Sequence, residues 1–144
     1  MKLATVLALV LTAAAGPALA ENWNPFSRSR TTLFMADVDS IKVDGDVTSI
    51  IAAAAPRQGE AGDFSYTTDR YEFHCRAGEW RSVEAVEYGP DGAEAARYPD
   101  DTAQFERIGD GTLPAFLREV ACEGVRSDPP VWPSVRAFIE AGRG

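Results

Sequence analysis

The clearest alternation of apolar and polar positions runs from Phe64 to Cys75. Successive side chains of a strand point to opposite faces. Tyr71, Phe73 and Cys75 therefore share a core face, and Arg70, Glu72 and His74 share the other. Ala77-Gly78-Glu79 makes a tight connection, and Trp80 to Tyr88 returns as the partner strand of a hairpin. An earlier hairpin is predicted where Ile41-Lys42-Val43 meets Asp44-Gly45, a strong turn signal, with Asp46 to Ala54 as its second arm. Thr31 to Ala36 is β-compatible, and Asp37 to Ser40 is turn-like. Residues 21–30 read as an irregular lead-in. Residues 93–111, rich in Ala, Asp, Pro and Gly, read mostly as loop.

The period then changes. Leu113, Phe116, Leu117, Val120 and Ala121 recur at helical spacing and form one apolar stripe. Thr112 is placed to cap that helix, Pro114 is tolerated in its first turn, and Gly124 ends it. By helical count Cys122 falls off the stripe, so the helix is expected to loosen at its end. Residues 125–132 form a Pro-rich link, and Pro133 to Ala141 a short second helix. Strands followed by a helix indicate an α+β fold. The prediction is an antiparallel sheet of five or six strands in hairpins, packed against a C-terminal helix held by one disulfide. The single domain spans residues 21–124, followed by a tail, 125–144.

The first residues follow a different logic. Met1-Lys2 gives a positive start, and Leu3 to Ala15 is an uncharged run of 13 residues. Gly16-Pro17 breaks it, and Ala18-Leu19-Ala20 fits a signal-peptidase site. A spanning helix needs about 20 residues, so residues 1–20 read as a cleaved secretory signal and not as a transmembrane segment. Cleavage after Ala20 removes Lys2 and leaves 13 basic against 22 acidic residues, a net charge of −9. That charge argues against nucleic acid and anionic membranes as partners. No cysteine lies near the cleavage site, so the exported product, periplasmic or secreted to the cell surface, is expected without a lipid anchor.

Cys75 and Cys122 are the only cysteines, and both lie in the exported part, where oxidation is the default. One intrachain pairing exists. It encloses 46 residues and is worth about 4 kcal/mol by loop-closure entropy. Two free thiols or a metal pair is the alternative. A CxxC spacing is missing, and the lone His74 offers no third and fourth ligand.

Catalytic signatures are not found in the sequence. The serines lack a GxSxG frame, and His74 is the one candidate histidine base. Asp37, Asp39, Asp44 and Asp46 fail the EF-hand spacing in either frame and read as turn residues, with a surface calcium site as the alternative. Gly109-Asp110-Gly111 lacks the third glycine of a dinucleotide loop. The chain is therefore expected to be non-enzymatic and to need no cofactor. Arg70, Glu72 and His74, on the face opposite Tyr71 and Phe73, are the candidate binding residues.

An ordered set of residues resembles the surface-adhesin protein E family of small exported bacterial proteins. Trp23 stands near the mature start, and Asp39-Ser40-Ile41 is followed by Gly45. Tyr71-Glu72-Phe73-His74-Cys75 ends a strand, and an aromatic strand begins at Trp80. Phe105 and Ile108 precede Gly111-Thr112, a helix, and Val120-Ala121-Cys122. Phe105 stands where Trp is expected, and Thr112 where Ser is. The resemblance covers residues 23–122. It implies a helix-packed antiparallel sheet with the Cys75–Cys122 bridge, and a non-enzymatic adhesive role toward host matrix proteins such as vitronectin and laminin. A different reading of the same small, stapled, acidic domain is a periplasmic inhibitor of a lytic envelope enzyme, or an envelope-maintenance protein. The sequence leaves the oligomeric state open.

Overall fold

A computed structural model describes residues 21–144; the expected leader, residues 1–20, lies outside them. The described residues form seven strands and two helices: β1 (Trp23–Arg28), β2 (Thr32–Asp44), β3 (Val47–Pro56), β4 (Tyr66–His74), β5 (Glu79–Tyr88), β6 (Glu94–Pro99), β7 (Glu106–Arg107), α1 (Leu113–Glu123) and α2 (Val135–Glu140). The strands make one antiparallel sheet in chain order, β1 to β6, with the short β7 also pairing β5. The predicted α+β class and antiparallel sheet are observed.

Three segments of the sheet depart from their sequence reading. Residues 21–30 are not irregular: Trp23–Arg28 is an edge strand. Its Pro25 is tolerated because the strand is at the sheet's edge and its register shifts between Pro25 and Ser27. Asp37 to Ser40 is not a separate turn but a wide bulge inside β2, where Asp37 pairs Ile51 and Lys42 pairs Ser49. Turn chemistry still operates there. Asp37 Oδ1 accepts the Asp39 N–H at 3.1 Å, and Ser40 Oγ bridges the gap, donating to Asp37 O and accepting from Ile51 N. Residues 93–111 hold β6 and β7. Their burial is slight, so apolar patterning has little to mark them.

The Asp44-Gly45 signal is a hairpin, with Asp44 pairing Val47 across Gly45-Asp46. Gly45 is the first loop residue and has φ 59°. A positive φ there is where a type II′ turn requires glycine.

Both faces of the sheet are covered. On one, Leu117 and Val120 of α1 bury against Ala36, Ile50, Ala52 and Phe73. On the other, Val135, Phe138 and Ile139 of α2 bury against Trp23, Met35, Ala53 and Ala55. β3 lies between the two helices. This accounts for its continuous apolar run, Ile50 to Ala55, in place of alternation. Residues 125–144, read from sequence as a tail, thus complete the second face. Trp132 exchanges backbone hydrogen bonds with Trp23 at 2.9 and 3.0 Å, and the Ser134 hydroxyl caps α2 by accepting from Ala137 N.

The bridge joins Cys75 and Cys122, with Cα atoms 5.7 Å apart. The expected loosening of α1 does not occur. The helix runs unbroken to Glu123, and it is rotated so that Leu117, Val120, Ala121 and Cys122 face the sheet. Phe116, expected in the core, is 40% exposed. Thr112 precedes the helix without capping it; its hydroxyl donates to Gly109 O.

Candidate functional site

α2 covers only part of its face. Beside it the same face of β2 to β6 stays open, and two cavities lie there. The larger, about 460 Å³, is lined by Glu21, Asp37, Asp39, Lys42, Ile51 and Arg70 among others. The smaller, about 160 Å³, shares Glu21, Asp37, Ile51 and Arg70 with it and continues to Tyr66, Glu84 and Arg97. Shared walls make them one groove across the strands.

Register places these groups. Ile51 pairs Arg70, Arg70 pairs Glu84, and Thr68 pairs Val86, which pairs Arg97. Cross-strand neighbours on one face interact through their side chains. Arg70 Nη2 lies 3.5 Å from Glu84 Oε1, Arg97 Nη1 lies 2.8 Å from that oxygen, and Arg97 Nη2 lies 2.7 Å from Glu94 Oε2. The Arg97 hydrogen bond holds the Glu94 carboxyl below its usual range, and the two glutamates raise the Arg97 guanidinium. Tyr66 and Tyr88 stack at one end, with ring centroids 4.2 Å apart. Burial, then Tyr88 and Glu21, push the Tyr66 hydroxyl up.

At the other end, Asp37 is only 7% exposed. Its Oδ1 accepts from Asn22 N at 3.4 Å and Asp39 N at 3.1 Å. Burial raises its pKa more than these hydrogen bonds lower it. Among the described residues it makes no ion pair.

The three candidate binding residues share a face but not a site. Arg70 lines the groove. Glu72 is held by Arg81 at 2.6 Å. His74 Nδ1 is 3.4 Å from Glu79 Oε2, and its ring stacks on Phe105 at 3.8 Å. Arg81 also covers the Phe105 ring at 4.4 Å. The segment after β6 thus folds over the Glu72 and His74 end of the face. The four acidic turn residues do not converge: Asp37 and Asp39 line the groove, and Asp46 pairs Arg76 at 2.9 Å.

Sequence reasoning missed Asp37, Glu84 and Arg97 as groove residues. Asp37 carried a signal, a carboxylate closing the apolar run Leu33 to Ala36. Arg97 carried none, because its strand was read as loop.

The surface-adhesin protein E family model matches residues 23–123, from the first residue of β1 to the last of α1. The chain belongs to the surface-adhesin protein E family. Neither a curated protein nor a solved structure matches it. This adhesin E chain is thus an adhesin-like surface protein by family. The match spans the sheet, α1 and the disulfide, and stops before α2. Among the described residues of this adhesin E chain, no helix is long and apolar enough to cross a membrane.

Proposed function

We propose that the protein is exported, is cleaved after Ala20, and acts without catalysis as a protein-binding module of the adhesin kind. The open groove beside α2 carries this reading. It presents charges of both signs held in a fixed ladder, with a stacked tyrosine pair at one end. A rigid, preorganised surface loses little freedom on binding, and complementary charges orient a protein partner. Family membership supports the same reading.

The test is saturable binding of the chain from Glu21 to immobilised vitronectin or laminin. Arg70→Glu and Arg97→Glu place like charges beside Glu84 and should each weaken binding about tenfold. A lack of saturable binding at micromolar protein overturns the matrix-binding form. Protease treatment of intact cells decides display: loss of the protein supports a cell-surface role. Cleavage only after lysis moves it to the periplasm.

A further inference from the structure

We propose that removal of residues 1–20 supplies the groove with a cation, the new α-ammonium of Glu21, which pairs with the Asp37 carboxylate. This rests on the cleavage after Ala20 proposed above. The buried Asp37 has two backbone donors and, among the described residues, no cationic partner. A buried carboxylate is costly without one.

Two observations bring the nitrogen of Glu21 to it. Asn22 is fastened to the rim of β2: its N–H points at Asp37 Oδ1, 3.4 Å away, and its carbonyl accepts from Val38 N at 3.0 Å. One residue back, standard chain geometry keeps the Glu21 nitrogen within about 7 Å of that oxygen. Glu21 also lines both cavities together with Asp37, while its own carboxylate is occupied by Trp23 Nε1 at 2.6 Å.

Before cleavage this nitrogen is an amide and carries no charge. Afterwards it is an amine that ordinarily titrates near about 8. The charged groups around the two cavities are Glu21, Asp37, Asp39 and Glu84 on one side of the balance and Lys42, Arg70 and Arg97 on the other, with both arginines engaged by Glu84 and with Tyr66 and Tyr88 as the titratable hydroxyls. Asp37 is the buried one among the carboxylates, so its field on the ammonium is the least screened. The exported chain thereby gains a contact that its precursor lacks. Folding is favoured more strongly once the leader is gone.

The experiment uses the chain released to begin at Glu21, the same chain Nα-acetylated, and Asp37→Asn in both forms. The amine is titrated by NMR, and thermal midpoints are taken between about pH 6 and pH 10. The expected amine pKa lies about one unit above that of a Glu21–Phe26 peptide. A raised pKa gives stabilisation that is full below the unfolded value and lost as pH rises through the folded one. The midpoint should therefore fall across that window. Acetylation should abolish the fall and lower the midpoint by a few degrees at pH 6; in Asp37→Asn it should change nothing. An amine that titrates as in the free peptide overturns the pairing, whether or not Asp37→Asn folds. So does acetylation acting equally in both backgrounds. The intact mass of the exported protein separately tests the cleavage: a start other than Glu21 overturns that reading, while the titration reads the pairing alone.

Discussion

Gly59 and Arg143 are fitted to each other: a Cβ at position 59 would lie 2.7 Å from Arg143 Nη1. The guanidinium cannot simply move away. It is 7% exposed and donates to the carbonyls of Pro56, Gln58 and Asp63, tying the chain's C-terminal end to the β3–β4 loop.

Gly59→Ala should therefore cost about 1–3 kcal/mol by overpacking. Arg143→Ala should cost about as much by loss of charged hydrogen bonds. The double variant should be less destabilised than the sum of the two, since each removes what the other offends. Urea unfolding of the four proteins measures this coupling, and strict additivity would refute the fit.

Asp37→Asn keeps an oxygen for the Asn22 and Asp39 N–H groups and removes a buried charge. The folded-state pKa of Asp37 is raised by burial. Its ionised form therefore costs stability above that pKa, and the cost fades as pH falls toward the ordinary value. In the uncleaved or Nα-acetylated chain, the Asn variant should be more stable than wild type at neutral pH and equal to it near about pH 3. Denaturant midpoints across that range check the sign.

Cys75→Ser should lower stability by about 2–5 kcal/mol under oxidising conditions, because it opens the loop closed by Cys122. An unchanged thermal midpoint would contradict the bridge.

A chain ending at Glu123, the last residue of the family match, should lose its second face. Trp23, Met35, Ala53 and Ala55 would face water where Val135, Phe138 and Ile139 now cover them. Binding of a hydrophobic dye and a fall in solubility are the expected results. A monomeric, cooperatively folded product with the full-length midpoint would show that α2 is dispensable.

The reading from sequence succeeded where one rule acted alone. Phe64 to Cys75 alternates because one strand has two distinct faces, and Gly45 marks its turn by a backbone geometry that other residues resist. It failed where rules competed. Pro25 argued against a strand, yet edge position and a bulge removed the objection. Asp37 and Ser40 carry turn chemistry, used here to bridge a bulge within β2. The stripe on α1 was displaced because the bridge to Cys75 draws Cys122 inward and turns Phe116 out. Of the groove's charged ladder only Arg70 was legible. Glu84 and Arg97 come from β5 and β6, and only strand register brings them beside it.

The Cys75–Cys122 bridge also sets how the molecule bears tension. A pull between Glu21 and Gly144 travels along the backbone to Cys75, crosses the sulfur–sulfur bond to Cys122, and continues toward α2. Residues 76–121, with β5 to β7 and most of α1, form a closed covalent ring off that load path. Under traction, β1 and α2 are the first parts to peel and β2 to β4 can follow, while the ring keeps its contour length until the bridge is reduced.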